Sequence, residues 1–399
     1  MKVIILTGEP FPHGMAAVSR IKCYAAAIAE GGAECEILIY RRTEVCGRAP
    51  KNTEGNGFSG KVPFRYIGGT PLRGSNVFVR QLDDFLDVRR TVNYLKQTLS
   101  EGDVLFLYMG DYTGVTVRFI KAAHSRGAVC VRDQCELPYA TGPETAFSAV
   151  KRAWSQRQLF PLLDGVVSIS DALLDYAKKY TKSSCRHIKV PILVDFEKFA
   201  IVDQASSETV PFMFHAGTLY EQKDGFLGML EAFGKAAARL NFPVRFISTG
   251  NPEDGKITEL ISKYGIEDKV FFTGYITEEE LRDYVSRAAF TVINKHRTLQ
   301  NRYCFSTKLG EYLAAAKPVV MTNVGEAMNW VKDGQSAYVV EPDDVEALSD
   351  RIANAFLHPE DAAEIGLAGK DLCRRSFDYR SWAGPLVHYF KELSNGRKR

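Results

Sequence analysis

The sequence lacks several features that assign a chain to a class at once. Its 399 residues contain no Cys-x-x-Cys pair, and the eight cysteines show no zinc-type spacing with histidine. No run approaches the roughly 20 apolar residues that a membrane-spanning helix needs. The apolar run at residues 3–6 is too short for a signal peptide. We therefore expect a cytoplasmic protein with reduced thiols.

The chain also lacks a strong charge of either sign. Its formal net charge is +3, so nothing in the whole sequence indicates a nucleic-acid partner. Basic residues cluster locally, at residues 41–48, 151–157 and 397–399. Such clusters are usually solvated surface. The alternative is peripheral contact with an anionic membrane, at the inner face of the cell membrane, or with a phosphorylated acceptor.

What the sequence does contain is a repeated alternation of short apolar runs with helical patterns. This alternation predicts α/β domains, each with a doubly wound parallel sheet and helices on both faces. The segment at 47–76 is rich in Gly, Pro, Asn and Lys and is expected to be an extended loop. Strands are predicted at residues 3–6, 36–40, 62–67, 104–108, 129–132, 166–169, 212–216, 244–249, 270–273, 290–293, 319–322 and 337–340.

The alternation stops and restarts around a polar stretch at residues 200–210, where we place a linker. This predicts two Rossmann-like domains, residues 1–200 and 201–380. An amphipathic helix in residues 381–399 is expected to pack back on the first domain. In two domains of this class, ligands bind at the carboxyl ends of the strands, so we expect the domains to face each other across a cleft.

The segment 305–320 carries the most information. Ser306, Thr307 and Lys308 open a short helix that ends at Lys317-Pro318. The unpaired N–H groups at such a helix start can hold a phosphate, while Glu311 can accept hydrogen bonds from a diol such as ribose. The alternative is an ordinary capped amphipathic helix with an exposed glutamate.

Three further loops follow predicted strands of the second domain. Gly217 stands at the end of the first of these strands, and Lys223 lies at the start of the next helix. Gly250 and residues 272–276 end two more strands. Each is an ordinary turn when taken alone, but all four segments belong to one domain.

In this order, the motifs at 217–225, 249–251, 272–276 and 308–320 resemble the retaining, nucleotide-sugar-dependent glycosyltransferases of the GT-B fold, family 4. The resemblance implies that Lys223 binds the donor diphosphate and Glu311 the donor ribose. It also implies donor contacts from a larger set, namely Gly14, Gly217, Thr218, Gly250, Tyr275, Ile276, Ser306, Thr307, Lys308 and Leu309.

The chain departs from that family's pattern at three places. The family often has a second glutamate eight positions before the first, where Tyr303 stands here, and Thr218 replaces the usual arginine after the loop glycine. Arg297 and Arg302 are candidates for the missing phosphate contact. The first-domain segment that often carries a histidine has none, and Asp133 or Glu136 is the candidate catalytic residue in its place. Alternatively, either carboxylate caps a turn.

The resemblance implies a retaining hexosyltransferase that moves a sugar from a nucleotide-diphospho-sugar to a saccharide or lipid-linked saccharide acceptor. The pathway expected is cell-surface polysaccharide or glycolipid biosynthesis. No Asp-x-Asp motif occurs, so lysines, arginines and helix dipoles are expected to neutralise the phosphates, with no metal or other cofactor. Alternatives are a non-catalytic nucleotide-sugar-binding subunit, or another GT-B enzyme such as a sugar epimerase or an inverting transferase. A dinucleotide oxidoreductase is not expected, because Gly8-Glu9-Pro10 replaces a Gly-x-Gly-x-x-Gly loop.

Overall fold

The computed structural model describes residues 1–45, 49–110, 112–139, 145–200, 209–217 and 219–396. The chain divides into two compact units. The first comprises Met1–Leu193 together with the C-terminal residues from Tyr379 onward, and the second comprises Val194–Asp378. The seven cysteines in the described residues are all free.

The first domain is built on an eight-stranded sheet in the order β3-β4-β2-β1-β5-β6-β7-β8. All neighbouring strands are parallel except β3 and β4, which pair antiparallel. The strands are β1 (Lys2–Thr7), β2 (Glu34–Ile39), β3 (Asn56–Ser59), β4 (Val62–Tyr66), β5 (Val104–Tyr108), β6 (Val129–Gln134), β7 (Gly165–Ser168) and β8 (Arg186–Lys189).

Helices cover both faces of this sheet, which is why its central strands are apolar throughout. Side chains alternate between faces along a strand, so Ile5 of β1 joins one apolar core and its neighbour Ile4 joins the other. The helices that follow these strands are α1 (Ala16–Glu30), α2 (Val77–Thr98), α3 (Thr113–His124), α4 (Ala146–Gln158) and α5 (Asp171–Tyr180), with a 3-10 turn at Phe160–Leu162.

The second domain is built on a six-stranded, fully parallel sheet in the order β11-β10-β9-β12-β13-β14. Its strands are β9 (Phe212–His215), β10 (Arg245–Ser248), β11 (Val270–Phe272), β12 (Phe290–Ile293), β13 (Val319–Thr322) and β14 (Tyr338–Val340). The chain first winds outward from β9 on one side and then crosses to β12 on the other. This reversal creates a crevice between the carboxyl ends of β9 and β12, the position where ligands bind in sheets of this topology.

Nine helices are described in the second domain, several of them short. They are α6 (Phe196–Ala200), α7 (Glu221–Asp224), α8 (Phe226–Ala237), α9 (Gly255–Tyr264), α10 (Glu278–Arg287), α11 (Leu299–Tyr303), α12 (Thr307–Ala314), α13 (Val345–Leu357) and α14 (Pro359–Ser376), with a 3-10 turn at Gly325–Asn329. The chain then forms a 3-10 turn at Tyr379–Trp382 and α15 (Ala383–Gly396), which packs against α1. Among the described residues, no helix combines the length and the apolarity needed to span a bilayer.

Candidate functional site

The candidate site occupies the crevice of the second domain, where loops from several strands meet. His215 ends β9, Lys295 follows β12, and the short helix α7 brings in Lys223 and Asp224. Helix α12 adds Lys308 from its first turn. The site is therefore assembled from residues 215 and 223–224, Lys295 and Lys308, which meet at the carboxyl end of β9.

Asp224 lies buried among positive charges. Its Oδ1 lies 3.1 Å from Lys308 Nζ and 3.9 Å from Lys295 Nζ. Burial alone would raise the pKa of Asp224, but the interactions with Lys308, with His215 when it is protonated at low pH, and with Lys295 lower it to about 2. The carboxylate is therefore ionised at neutral pH and holds both ammonium groups at the carboxyl end of β9.

His215 is held between Ser248 and Lys308. Its Nδ1 lies 3.1 Å from Ser248 Oγ, and its Nε2 lies 3.4 Å from Lys308 Nζ. Because an ammonium group can only donate, Nε2 must accept and Nδ1 must carry the proton. Burial, reinforced by the charge of Lys308, lowers the pKa of His215 to about 3. The imidazole is thus neutral at physiological pH and positions Lys308 without adding charge.

Lys223 differs from the other two lysines because its side chain is exposed. In the described part of the chain, no hydrogen bond or ion pair engages its ammonium group. Burial is the main cause that lowers the pKa of Lys308, and the charges of Lys295 and Lys223 lower it further. Three ammonium groups and one carboxylate leave an excess of about two positive charges, which matches the charge of a diphosphate.

The first turn of α12 offers further donors to an anion. Ser306 occupies the N-cap position, but no side chain caps the helix. Neither the Ser306 nor the Thr307 hydroxyl bonds to a described residue, and both side chains are half-buried. The side chain of Leu309, in the same turn, is fully buried. The free N–H groups and hydroxyls are therefore suited to bind an anion, as the lysine cluster is.

Glu311 lies one turn further along α12. Its carboxylate accepts no hydrogen bond from the described residues. Burial and the charge of Glu278 raise its pKa to about 7, and the charge of Lys308 opposes this rise. A half-buried carboxylate without partners is suited to accept hydroxyl groups of a ligand. The next residue, Tyr312, accepts a 2.8 Å hydrogen bond from the Ala216 amide and so ties α12 to the loop after β9.

Gly217 lies close to the side chains of Lys308 and Asp224. Its amide donates to Thr249 Oγ1 at 2.7 Å, and the same hydroxyl donates to the Gly217 carbonyl at 2.9 Å. A Cβ atom at this position would lie 2.3 Å from Lys308 Nζ and 3.1 Å from Asp224 Oδ2. Any other residue would therefore displace the lysine.

Gly250 and Gly274 border the site at the ends of β10 and β11. The Gly250 amide donates to the Gly274 carbonyl at 2.9 Å, and both glycines have positive φ, +92° and +70°. Tyr275 follows with a largely exposed ring, and Ile276 is half-buried. An exposed aromatic ring beside an apolar side chain is a suitable surface for a nucleotide base.

Two of the three departures from the family's pattern, Thr218 and Tyr303, lie in the second domain. Thr218 lies outside the described residues. Arg297 forms an ion pair with Glu341, whereas the Arg302 side chain is exposed. Tyr303 ends α11 and is half-buried. Of the two arginines suggested for the missing phosphate contact, Arg302 is the one without an ion pair among the described residues.

In the first domain, the structure separates the two candidate catalytic carboxylates. Asp133 is buried, lies 3.2 Å from the Arg20 guanidinium and accepts a 2.6 Å hydrogen bond from the Tyr24 hydroxyl. Arg20 also donates to the backbone carbonyls of Val190 and Pro191. Arg20 thus ties α1 both to Asp133 at the end of β6 and to the segment after β8.

Glu136, by contrast, is exposed beyond the end of β6. Burial raises the pKa of Glu9, in the loop after β1, and the charge of Glu136 raises it further, against the charge of Arg41. Gly14 ends the same loop, and a Cβ atom there would lie 2.4 Å from Val18 Cγ2. Glu136 therefore offers an accessible carboxylate at this edge of the first sheet.

A cluster of His124, Cys130 and Asp164 also lies in the first domain. His124 Nε2 lies 2.8 Å from one Asp164 oxygen, which also accepts from the Cys130 amide, and Lys182 Nζ lies 3.0 Å from the other. These bonds lower the pKa of Asp164 to about 2 although burial opposes them. The carboxylate is already neutralised by protein groups, so the arrangement is a structural ion pair.

Sequence reasoning did not assign three members of the site, His215, Asp224 and Lys295. Asp224 directly follows Lys223, and Lys295 follows β12 at the same edge as the other site loops. The signal that could have found Lys295 is its position after a predicted strand that neighbours β9.

The second domain is similar in sequence to a known protein family. Residues 197–372 match the family model described as glycosyl transferases group 1. Mannosylfructose-phosphate synthase from Agrobacterium fabrum is 25% identical over 296 residues, which cover 69% of this chain and 62% of that protein. The match thus spans less than two thirds of the relative's length.

Solved structures resemble the chain over nearly its whole length. Sucrose-phosphate synthase from Thermosynechococcus elongatus has a TM-score of 0.72 at 17% identity, covering 99% of this chain and 100% of that one. Anabaena HepE in complex with UDP-glucose has a TM-score of 0.69 at 14% identity, covering 98% and 99%. These likenesses establish the GT-B fold predicted from the sequence. The family match lies within the second domain, which therefore resembles the glycosyl transferases of group 1.

Proposed function

We propose that the protein is a retaining glycosyltransferase that moves a sugar from a nucleotide-diphospho-sugar to a hydroxyl acceptor. The observation that carries the proposal is the cluster of Lys223, Lys295, Lys308 and Asp224 beside the uncapped start of α12, with Glu311 one turn away. The cations and N–H donors suit a diphosphate, and the carboxylate beside them can accept hydrogen bonds from the hydroxyl groups of an adjoining ribose.

Lys223 and the α12 first turn bind the diphosphate in this proposal. As the bond to the sugar breaks, negative charge builds on the leaving phosphate, and fixed positive groups stabilise that charge more than they stabilise the ground state. Asp224 and His215 hold Lys308 in place in the free enzyme, so its charge does not need to be reoriented during the reaction. Protein cations supply the neutralisation, with no metal ion required.

Glu311 accepts the ribose hydroxyls, and Gly250, Tyr275 and Ile276 border the base. Because Anabaena HepE has been solved with UDP and with UDP-glucose, uridine diphosphate sugars are the first donors to test. We assign Gly14 to the sugar and Glu136 to the acceptor. Glu136 is preferred to Asp133 as the catalytic carboxylate because its side chain is accessible.

The acceptor proposed is a saccharide or lipid-linked saccharide of cell-surface polysaccharide or glycolipid biosynthesis, used at the inner face of the cell membrane. In a retaining reaction, the acceptor hydroxyl attacks the anomeric carbon from the side of the leaving diphosphate. The bond to the phosphate oxygen breaks, the new glycosidic bond forms, and the departing phosphate oxygen takes the acceptor proton.

The test is release of nucleoside diphosphate from a panel of UDP-, GDP- and ADP-sugars in the presence of EDTA and candidate acceptors. We expect one donor to be consumed, with a product of unchanged anomeric configuration by NMR. Binding of a donor without turnover for any acceptor would indicate a non-catalytic subunit instead. An inverted product would contradict retention, and epimerised sugar would indicate the epimerase alternative.

A further inference from the structure

Helix α4 of the first domain exposes large apolar side chains to solvent and buries a serine. Phe147 is 68% exposed and Trp154 48% exposed, whereas the buried residue of the helix is Ser155. Val150 is exposed as well, so Phe147, Val150 and Trp154 form one stripe at i, i+3 and i+7. A soluble helix normally places such a stripe against its own core. This one faces outward.

Helix α2 carries a second stripe of the same kind. Phe78, Leu82 and Phe85 stand at i, i+4 and i+7, and Phe78 is 80% exposed. Val77 and Val79 beside them are also exposed. Two helices that flank α3 thus carry outward apolar stripes, whereas the exposed apolar residues of an ordinary surface are scattered singly.

The two stripes lie at the same edge of the first domain. Helices α2, α3 and α4 follow β4, β5 and β6, so the N-termini of all three lie at the carboxyl edge of one parallel sheet. Helix α3 packs against both of its neighbours. A Cβ atom at Gly114, in the first turn of α3, would lie 3.3 Å from Trp154 Cη2, so the indole lies over that turn.

The charge around the stripes is positive. Residues 145–162 contain Lys151, Arg152 and Arg157 and no acidic residue. The Lys151 ammonium lies 4.1 Å from the centre of the Phe147 ring. Three further residues on α2 and α3, Arg89, Arg118 and Lys121, are exposed cations without an ion pair among the described residues, as is Arg157.

The acidic residues of α2 do not cancel this charge, because arginines already neutralise them. Asp83 lies 2.7 Å from Arg42, Asp84 lies 3.1 Å from Arg73, and Asp87 lies 2.8 Å from Arg90. Aromatic side chains flanked by unpaired cations are the composition that binds the interface of an anionic bilayer.

We propose that this surface, formed by the outer faces of α2 and α4, docks the first domain onto an anionic lipid bilayer. Phe78, Phe147 and Trp154 enter the headgroup region, and Lys151 and Arg157 contact lipid phosphates. The proposal gives a structural basis to the membrane location proposed above. It does not depend on sugar transfer, because binding to lipid needs no donor.

The experiment measures sedimentation of the full-length protein with vesicles of phosphatidylcholine alone or with a third of phosphatidylglycerol. We expect binding to the anionic vesicles only, falling when salt is raised. The double variants Phe147→Ser/Trp154→Ser and Lys151→Glu/Arg157→Glu should each weaken the partition coefficient at least tenfold. Because all four side chains are exposed or half-buried, their melting temperatures should stay close to that of the wild type.

The matched control is Leu367→Ser. Leu367 is 58% exposed on α14 of the second domain, far in sequence from both stripes, and its replacement should leave vesicle binding unchanged. Quenching of tryptophan fluorescence by brominated lipid gives a second readout. It should occur in the wild type and disappear in Trp154→Phe, which keeps an aromatic anchor.

Absence of binding to anionic vesicles, or equal binding by the wild type and both double variants, overturns the proposal. A dimer that dissociates in Phe147→Ser/Trp154→Ser, without vesicle binding, would show that a second copy covers the surface and would also overturn it. Nucleotide binding measured on the same samples separates this proposal from the proposed function. Loss of one property with retention of the other identifies which of the two is wrong.

Discussion

Replacement of Lys223 by methionine should remove one phosphate contact without changing the stability of the domain. Lys308 and Lys295 are bound to Asp224, so removing either also leaves a buried carboxylate with one partner fewer. Lys223 is exposed and, within the described residues, makes no hydrogen bond or ion pair. Methionine keeps the length and most of the apolar stem while removing the charge.

The expected loss follows from the charge-assisted hydrogen bond that Lys223 would donate to phosphate. Such a bond contributes about 1.5 to 3 kcal/mol. A loss of this size lowers kcat/KM for the donor by roughly 10- to 100-fold. The two remaining lysines keep part of the attraction, so turnover should fall without vanishing. An exposed substitution should change the free energy of unfolding by less than about 0.5 kcal/mol.

The assay is steady-state release of nucleoside diphosphate, with differential scanning fluorimetry on the same preparations. Lys256→Met is the matched control, because Lys256 is an exposed lysine of α9 in the same domain, outside the site. We expect the control to keep wild-type turnover. If Lys223→Met also keeps wild-type turnover and donor affinity, the assignment of the cluster as the phosphate site is wrong.

Three further predictions follow from the same site. Glu311 must ionise to accept ribose hydroxyls strongly, and its pKa is about 7, so nucleotide affinity should fall by up to about tenfold per pH unit below about pH 7. In a calorimetric pH series, Glu311→Gln should bind the nucleotide more weakly and should not show this fall in affinity below pH 7. The same pH dependence in the variant and the wild type would refute the role of Glu311 in ribose binding. Asp224 has a pKa of about 2, lower than the ordinary 3.8, so it stabilises the fold above about pH 4 and loses this effect as pH falls through about 2. Asp224→Asn should therefore cost about 2 to 4 kcal/mol near pH 7 in urea titrations, with the difference shrinking toward pH 2; a constant difference would argue against the ion cluster. Gly217→Ala should displace Lys308 Nζ and lower donor turnover more than tenfold, since the new Cβ would lie 2.3 Å from it, while a melting temperature that falls in proportion would indicate a folding defect instead.

Most of the fold was accessible from the sequence because its central strands are buried on both faces. β5 at Val104–Tyr108 and β12 at Phe290–Ile293 have the bounds predicted from their apolar runs. The strands that sequence reasoning missed, β3 and β8, lie at the edges of the first sheet. β8 reads Arg-His-Ile-Lys, and none of its side chains is fully buried, so its pattern carries no strand signal.

The site was accessible only in part. Helix α12 and Lys223 could be found because capping residues, a proline stop and a glycine loop are local signals. The pairing of Asp224 with Lys295 and Lys308 joins residues up to 84 positions apart, and no local pattern encodes it. The same reason explains Asp133, whose Arg20 partner lies 113 residues away.

The most direct test of the account is calorimetric titration of nucleoside diphosphates into the full-length protein in EDTA. The account predicts micromolar binding of one nucleoside diphosphate without added metal. It also predicts at least tenfold weaker binding by Lys223→Met and by Glu311→Gln, and unchanged binding by Lys256→Met. Absence of binding for every nucleoside diphosphate, or binding that appears only with a divalent cation, would contradict it.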